Sequence, residues 1–255
     1  MTQQPPASKS LDVVIPVLNE ERIVAVSVGT IHRYLGNHFD KFDWRVVVAD
    51  NGSTDRTLEI LKSIKEIYKE RFDYIRLDQR GRGRALKKAW LESNVDIVCY
   101  MDVDMSTNLS DLKPLIEALD TGGYDVAIGS RLIKGAVVEE RSTKREIISR
   151  TYNLIIRALF NVRFRDAQCG FKGVTRKAVN DLIPLVEDPG WFFDTELLIL
   201  AEKNGYKLKE VPVRWTDDPD SRVKVFSTAR KDLQGLARMK LWGLRKAKEK
   251  LSTKR

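Results

Sequence analysis

The sequence predicts an α/β fold with a mainly parallel sheet flanked by helices, and three observations support this prediction. Short apolar runs alternate with segments of helical periodicity through the first half of the 255-residue chain, a pattern typical of βαβ units. Polar turn clusters such as Asp50-Asn51-Gly52-Ser53 directly follow apolar runs,. Hydrophobic residues make up 42% of the chain, enough for the core of one large domain,.

The predicted elements of the first half follow this alternation in order. Strands, each a short apolar run often rich in β-branched residues, are predicted at 11–16, 45–49, 74–77, 95–101 and 126–128,. Helices, each with apolar positions at helical spacing, are predicted at 21–35, 55–68, 85–93 and 111–120,. Gly81 and Gly83 separate the third strand from the third helix,.

The second half has a different order of elements. Helices are predicted at 145–160, 175–185, 194–204 and 227–250, a loop with a short strand at 165–172, and a strand at 208–215,. No internal repeat or linker interrupts the chain. We therefore predict a disordered tail at residues 1–10, a single domain at 11–225, and a basic amphipathic helix at 226–255.

Composition excludes some classes of protein. The N-terminal ten residues are polar and contain no apolar segment typical of a secretory signal,. No uninterrupted apolar stretch approaches the ~20 residues of a spanning helix. The two cysteines, Cys99 and Cys169, do not form a disulfide framework pattern, which is consistent with a reducing, cytoplasmic setting.

The net charge of +9 is concentrated near the end of the chain. Residues 222–255 carry +10 and the remainder −1. This asymmetry predicts that the tail binds an anionic surface, either a membrane or nucleic acid. Apolar residues at helical spacing favour a helix lying on a membrane, although the same pattern fits a helix packed on the core: Leu233, Leu236, Ala237, Leu241 and Leu244.

Asp102-Val103-Asp104 is the strongest candidate for a functional motif. The two acids follow the apolar run 95–101, at the end of a strand where open α/β sheets bind ligands. Neighbouring carboxylates repel unless a cation lies beside them. Mg²⁺ commonly binds one or two carboxylates together with phosphate oxygens, so we predict Mg²⁺ or Mn²⁺ carrying a diphosphate. The alternative is a solvated turn that holds two acids by chance.

Several segments together resemble the family 2 glycosyltransferases, whose nucleotide-sugar-binding fold is called GT-A. The segments occur in one order along the chain, at 16–21, 49–55, 102–104 and 129–131. Two later segments, at 166–172 and 191–196, are similar to the dolichyl-phosphate β-glucosyltransferase branch and to polyprenyl-phosphate mannose synthases. The resemblance covers about residues 11–242.

The resemblance implies a nucleotide-sugar donor and assigns residues to it. Asp50 would accept hydrogen bonds from a nucleobase, and Asp104 would be the principal metal ligand. Asp102 would contact the ribose or the metal. Ser106, a weaker metal ligand, stands where related synthases often carry Gln. The remaining donor-binding residues implied are Pro16, Leu18, Glu20, Arg82, Val103, Arg131, Arg222 and Lys224.

Two arginines are implied as phosphate-binding and catalytic residues. Arg131 would serve the donor diphosphate and Arg145 the acceptor phosphate, because a guanidinium offers a planar fork matched to phosphate oxygens. Arg145 alternatively pairs with an acid on the helix surface. Gln168 and Lys172 are implied as further acceptor-binding residues, and a polyprenyl acceptor favours a membrane over nucleic acid as the partner of the tail.

Asp194 is the candidate general base for an acceptor that must lose a proton. A phosphate monoester has a second pKa of about 6 and is already anionic at neutral pH, so a phosphate acceptor makes this base unnecessary. We therefore predict an inverting, metal-dependent hexosyltransferase that moves glucose from UDP-glucose to a polyprenyl phosphate. It would act as a peripheral protein on the cytoplasmic face of a membrane, in an oligomeric state that the sequence does not indicate.

Three alternatives remain open at this stage. One is the transfer of mannose from GDP-mannose to a polyprenyl phosphate. Another is sugar transfer to a hydroxyl acceptor with Asp194 as the base. A third is a protein without catalytic activity that binds a nucleotide or nucleic acid through its tail, and the Asp102 and Asp104 pair argues against it.

Overall fold

The computed structural model describes residues 8–217 and 225–253. Its strands are β1 (Lys9–Val17), β2 (Phe42–Asp50), β3 (Phe72–Arg76), β4 (Ile97–Met101), β5 (Val126–Ser130), β6 (Val137–Glu139), β7 (Phe171–Thr175), β8 (Leu208–Pro212) and β9 (Arg214–Thr216). The α-helices are α1 (Val24–His38), α2 (Thr57–Tyr68), α3 (Arg82–Glu92), α4 (Leu112–Asp120), α5 (Thr143–Phe160), α6 (Arg176–Leu182), α7 (Phe193–Lys203), α8 (Val225–Arg238) and α9 (Leu244–Ser252).

Seven strands of the described residues form one sheet, in the order β3-β2-β1-β4-β7-β5-β8. Four of its pairings are parallel, and only β7 runs antiparallel to its neighbours β4 and β5. The predicted mainly parallel α/β sheet is therefore confirmed. Because β1, β2 and β4 are adjacent and parallel, their carboxyl ends lie together at one edge of the sheet.

Helices cover both faces of this sheet. Val13 and Ile15 of β1 pack with α1, α2 and α4 on one face. Val14, between them, packs on the other face with α3, α6 and α7, together with the buried side of α5. This alternation is the two-residue period of a strand whose two faces are both buried.

The predicted strand at 208–215 is wrong in one respect, because the structure divides it between two sheets. β8 ends at Pro212, and β9 pairs instead with β6 in a separate two-stranded sheet. The sequence analysis did not predict β6 at all. At the other end of the chain β1 begins at Lys9, inside the segment predicted to be disordered, and residues 1–7 lie outside the described ranges.

The described part of the C-terminal segment is helical from Val225 to Ser252, with a π-helical turn at Met239–Gly243 between α8 and α9. One side packs into the core through Leu236, Met239, Ala247 and Leu251. The opposite side exposes Leu233, Leu241 and Trp242. The packed side matches the alternative of a helix docked on the core, and the membrane anchor stays a prediction. No helix within 8–217 or 225–253 has the length and apolar character needed to span a membrane.

Candidate active site

The candidate site lies at the edge of the sheet where β1, β2 and β4 end. Asp50 is the last residue of β2, and Asp102 follows directly after β4. The loops after β1 and β2 are bonded to each other. Asn19 N donates to Ser53 Oγ at 2.9 Å, and Glu20 N donates to Thr57 Oγ1 at 2.9 Å. The predicted donor contacts on this side are half-buried where these two loops meet: Pro16, Leu18 and Glu20.

Asp50 has a carboxylate oxygen that accepts no hydrogen bond from the described residues. Its side chain is fully buried, and Oδ1 accepts a 2.9 Å hydrogen bond from Ser53 N. Oδ2 has no hydrogen-bond partner among the described residues, and Arg76 Nη1 lies 3.6 Å away. A buried acceptor of this kind is costly unless a ligand satisfies it, which suits the nucleobase contact implied by the resemblance.

Asp102 and Asp104 form a two-carboxylate site at the end of β4. Asp102 N donates to Gly170 O at 3.2 Å, and a Cβ at Gly170 would overlap the Asp102 carboxylate. Asp104 is exposed, and its Oδ1 accepts a hydrogen bond from Ser106 N at 2.9 Å. The side chain of Val103, a predicted donor contact, is buried, and its carbonyl accepts a bond from Ser27 Oγ.

These two carboxylates fit a cation that also binds the donor diphosphate. No group of three or more His, Cys, Asp or Glu suited to a metal occurs within residues 8–217 and 225–253. A closed, all-protein metal site is therefore not available in that part of the chain. Mg²⁺ usually takes one or two carboxylates and completes its shell with phosphate oxygens and water, so the acids present suit a metal shared with a diphosphate.

Arg82 links this site to Asp194 on α7. Its Nη2 donates to Asp102 Oδ1 at 2.9 Å, and its Nη1 donates to Asp194 Oδ2 at 2.7 Å. The guanidinium lies 4.9 Å from the ring centres of both Tyr100 and Trp191. Gly83 allows α3 to approach α7 closely, since a Cβ at Gly83 would lie 2.6 Å from Phe193 Cβ.

Asp194 is buried and held by several donors. Besides Arg82, Lys172 Nζ lies 3.2 Å from Asp194 Oδ1, and Tyr100 donates a short hydrogen bond to the same oxygen. Burial works to raise the pKa of Asp194, but Lys172 and Arg82 hold it below its ordinary value. The carboxylate is therefore a fixed anion at neutral pH.

Lys172 does not have the position that was predicted for an acceptor-binding residue. Its side chain is fully buried on β7, beneath Asp194. Its ammonium contacts Asp194, Tyr100 and the carbonyl of Cys169. Since an ammonium has three donors, these contacts account for all of them, and Lys172 supports Asp194 instead of reaching a ligand.

Arg131 forms an ion pair with the buried acid Asp166. Its Nε and Nη2 bond the two carboxylate oxygens of Asp166 at 2.8 and 2.9 Å, which leaves Nη1 as the nitrogen that Asp166 does not bind. Burial works to raise the pKa of Asp166, but Arg131 lowers it to about 2. The guanidinium also lies 5.0 Å from the ring centre of Trp215. This bidentate pair fixes the orientation of Arg131.

Arg141 and Arg145 lie at the beginning of α5. The guanidinium of Arg141 lies 5.7 Å from the ring centre of Trp215, and its Nη1 lies 2.8 Å from Glu146 Oε2. Burial and the neighbouring Arg131 lower the pKa of Arg141, so the two cations are close in a partly buried setting. Arg145 is half-exposed, and its Nη1 donates to Asp217 Oδ1 at 2.6 Å.

We call Arg131, Arg141 and Arg145 the basic cluster, because Arg131 and Arg141 share the ring of Trp215 and Arg145 follows Arg141 by four residues. The positive end of the α5 dipole lies at the same place, with Ser142 Oγ accepting a hydrogen bond from Arg145 N,. Gln168, the remaining predicted acceptor contact, is exposed, and its Nε2 lies 3.4 Å from Asp232 Oδ2 on α8. The predicted donor contacts Arg222 and Lys224 lie outside the described residues.

Sequence reasoning missed four residues of this site: Arg141, Asp166, Trp215 and Asp232. Asp166 was inside a quoted segment, but its pairing with Arg131 spans 35 residues and has no local signal. Arg141 lies four residues before Arg145, a spacing that could have suggested a shared cluster. Trp215 was placed in a strand, and Asp232 was counted only as a charge of the tail.

The fold and the two-carboxylate edge define a nucleotide-sugar transferase of the GT-A type. The model of the family "Glycosyl transferase family 2" matches residues 12–183. The chain belongs to this family, and the predicted resemblance is confirmed.

Two curated relatives illustrate the branch. Glycosyltransferase AglD of Haloferax volcanii is 37% identical over 221 residues, covering 85% of this chain and 35% of that protein. The dolichyl-phosphate beta-glucosyltransferase of Saccharomyces cerevisiae is 32% identical over 231 residues, covering 84% of this chain and 69% of that protein. The chain therefore spans about a third of the first relative and about two thirds of the second.

Solved structures support the same fold. The glucosyl-3-phosphoglycerate synthase of Mycobacterium tuberculosis in complex with UDP has a TM-score of 0.67 and 20% identity, covering 90% of this chain and 79% of that one. The complex of that enzyme with Mn²⁺ and UDP-glucose has a TM-score of 0.66 and 19% identity, covering 92% and 79%. At this identity the likeness concerns the fold alone.

Proposed function

We propose that the protein transfers glucose from UDP-glucose to a polyprenyl phosphate, with inversion at the anomeric carbon. The observation that carries this proposal is the environment of Asp194, which is ion-paired with Arg82 and Lys172 and bonded by Tyr100. It bears directly on the choice between a phosphate and a hydroxyl acceptor.

A hydroxyl acceptor needs a base, and Asp194 is poorly suited to that role. A general base works best with a pKa near the working pH, whereas two cations hold the pKa of Asp194 below its ordinary value. Taking a proton would also break its pairing with Arg82 and Lys172 inside the protein, which is costly for buried charges. A phosphate monoester needs no such base, because it is already anionic.

The basic cluster supplies a place for such an anion. Arg131 and Arg141 meet around Trp215, and Arg145 lies at the positive end of α5, where anions are favoured. Burial strengthens the attraction of these cations for a phosphate. We infer that the cluster holds the acceptor phosphate, with Arg131 held in one orientation by Asp166.

The reaction then depends on positioning. Asp50 would accept from the nucleobase, and Asp102 and Asp104 would hold Mg²⁺ or Mn²⁺ with the donor diphosphate. The bound metal would neutralise charge on the departing nucleoside diphosphate. The basic cluster would hold an acceptor oxygen in line with the anomeric carbon, and no proton would pass to Asp194.

The names of the relatives support the finer parts of this proposal. Several of them are dolichyl-phosphate beta-glucosyltransferases, and the structural neighbour binds UDP-glucose and Mn²⁺. A polyprenyl acceptor lies in a membrane, so the enzyme would work at a membrane surface, which we place on the cytoplasmic side.

A matched pair of acceptors tests the proposal. Purified protein is incubated with radiolabelled UDP-glucose or GDP-mannose and vesicles that contain either a polyprenyl phosphate or the polyprenol of the same chain length. We expect label from UDP-glucose to enter the lipid only with the phosphate. Labelling of the polyprenol at a similar rate would overturn the phosphate acceptor, and labelling from GDP-mannose alone would overturn the donor.

A further inference from the structure

Helix α5 carries apolar residues on its exposed side as well as on its buried side. Ser149, Asn153, Ile156 and Phe160 face the core. The exposed apolar side chains, with their fractional exposures, are Ile147 (59%), Ile148 (40%), Leu154 (63%), Ile155 (37%) and Leu159 (40%). A surface helix normally has a polar outer side, so this outer side needs a different explanation.

The exposed residues form one continuous stripe. Ile147 and Leu154 are seven residues apart, as are Ile148 and Ile155, and seven residues make about two turns of an α-helix. Leu159 extends the same side by one more turn. Large apolar side chains clustered in this way mark a binding surface, whereas single exposed ones need no explanation.

The C-terminal helix contacts the end of α5 beside this stripe. Lys240 Nζ donates to Leu159 O at 2.7 Å and lies 5.9 Å from the ring centre of Phe160. The next two residues, Leu241 and Trp242, are 71% and 52% exposed. We call the combined surface the α5 face, defined as Ile147, Ile148, Leu154, Ile155, Leu159, Leu241 and Trp242.

The charges around this face are mainly positive, although Arg150 pairs with Glu146 and Arg245 pairs with Glu249. Residues 147–160 contain no Asp or Glu, while Arg150 and Arg157 lie exposed on the same helix. Lys240 and Arg245 are also exposed, beside Leu241 and Trp242. Apolar side chains bordered by cations suit the surface of a bilayer that contains anionic lipid, and Trp favours the same interface.

We propose that the α5 face is the surface with which the protein docks on an anionic bilayer. This proposal rests partly on the proposed function, because a lipid acceptor brings the enzyme to a membrane. It relocates the predicted anchor, since Leu236, Met239, Ala247 and Leu251 of the tail pack into the core. Leu241 and Trp242 are the tail residues that join the face.

The position of α5 also sets the distance between the membrane and the basic cluster. Arg145 is in the first turn of this helix, and the apolar stripe begins two residues later at Ile147. With the stripe in the outer part of the bilayer, the basic cluster lies near the depth of the lipid headgroups. The phosphate of a polyprenyl lipid would then reach Arg145 while its chain remains in the bilayer.

Vesicle flotation tests the α5 face with a matched pair of double variants. Ile147→Ser with Leu154→Ser removes two exposed apolar side chains from the face. Val26→Ser with Ile67→Ser removes two of similar exposure, 67% and 68%, from α1 and α2 on the opposite layer. The vesicles contain equal parts of phosphatidylcholine and phosphatidylglycerol, and melting curves verify that both variants are folded.

We expect the wild type and the α1–α2 variant to float, and partition of the α5 variant to fall on the order of 10-fold or more. Equal flotation of all three proteins, or no flotation of the wild type, would overturn the proposal. Size-exclusion chromatography gives a further test, because a wild-type dimer that the α5 substitutions convert to monomer would make the face a contact between copies.

The transfer assay separates this proposal from the proposed function. With a short-chain, water-soluble polyprenyl phosphate, the α5 variant should retain the wild-type rate, and with the vesicle-embedded acceptor it should lose activity in parallel with flotation. If no protein transfers sugar to any acceptor while the α5 variant still loses flotation, the proposed function fails and the docking face stands. Equal loss of rate with both acceptors would overturn the docking role.

Discussion

Arg82 Nη2 donates a 2.9 Å hydrogen bond to Asp102 Oδ1, so a residue of α3 holds one of the two carboxylates proposed to bind the metal. The other amino group of this guanidinium bonds Asp194 at 2.7 Å. One side chain therefore sets the position of Asp102 relative to Asp194 on α7. The planar fork of arginine makes this possible, because its nitrogens point in fixed directions.

Replacement of Arg82 by lysine should separate charge from geometry. Arg82→Lys keeps a cation but replaces the two fixed nitrogens of the guanidinium by a single one, so Asp102 and Asp194 lose their fixed spacing and we expect kcat to fall by roughly 10-fold or more. The measurement is steady-state transfer with both substrates varied, together with a melting curve. Arg84→Lys, on the same helix, serves as the control, because the side chain of Arg84 donates to the carbonyl of Arg80 and not to an acid of the site. A normal kcat for Arg82→Lys would contradict the bridging role.

Asp104 should be needed for metal-dependent transfer but not for folding. It is exposed, so Asp104→Asn should leave the melting temperature nearly unchanged. We expect transfer to fall on the order of 100-fold, equivalent to about 2.7 kcal/mol of transition-state stabilisation. The assay is a titration of the variant with Mg²⁺ and Mn²⁺, and the variant should need more metal for half of its maximal rate. Full activity of the wild type in EDTA would contradict the prediction.

Local patterns in the sequence were sufficient to predict the βαβ half of the fold. Apolar runs marked β1, β2 and β4, and the acids that follow two of them, Asp50 and Asp102, indicated the ligand-binding edge. The short strand β6, and the pairing of β9 with it in a separate sheet, were not predictable in the same way. Each of these two strands has three residues, and only their pairing across the chain stabilises them.

In the candidate site, too, contacts between distant positions could not be predicted from the sequence. Asp50 and Asp102 lie at the ends of strands, as the sequence suggested, but the partners of the site residues depend on contacts between distant positions. Arg82 and Asp194 are 112 residues apart, and Arg131 and Asp166 are 35 apart. Whether Asp194 is a base or a fixed anion depends on these contacts, so that distinction required the structure.

Asp50 should contribute to donor affinity through its unused oxygen. Asp50→Asn preserves the size of the side chain, and its Oδ1 can still accept from Ser53 N. The amide NH₂ would replace Oδ2 and face the nucleobase N–H with a donor, so we expect donor affinity to fall by about 1–3 kcal/mol. Isothermal titration with UDP would measure this change. An unchanged UDP affinity would place the nucleobase elsewhere.

Arg145 should affect the acceptor more than the donor. It is half-exposed and paired with Asp217 at the start of α5, so Arg145→Ala should fold normally. We expect KM for the polyprenyl phosphate to rise about 10-fold, from the loss of one charged hydrogen bond of about 1.5–3 kcal/mol. KM for the nucleotide sugar should change little. If donor affinity collapses while the acceptor KM stays fixed, Arg145 binds the donor diphosphate instead.

Asp232 should make the folded protein less stable as pH rises toward neutrality. Burial first, and then the nearby Asp188 and Asp194, raise the pKa of Asp232 to about 7, although a hydrogen bond from Tyr152 opposes the shift. The folded state therefore keeps a proton that the unfolded chain releases near its ordinary pKa of about 4. Stability contributed by this proton is present at low pH and is lost as pH rises from about 4 to about 7.

Asp232→Asn should remove this dependence, because the amide is neutral at every pH and can still bond Gln168. We expect the variant to melt at a higher temperature than the wild type at pH 8, by an amount that reflects up to ~3 kcal/mol, and at nearly the same temperature at pH 5. Glu249→Gln, at an exposed acid on α9, should show no such contrast. The side chain of Gln168, a predicted acceptor contact, bonds Asp232. The same variant should therefore also keep kcat more constant between pH 6 and 8. This range covers about one unit on either side of the pKa of Asp232, where most of its titration occurs. A shift of equal size at pH 5 and pH 8 would show that packing, and not ionisation, is responsible.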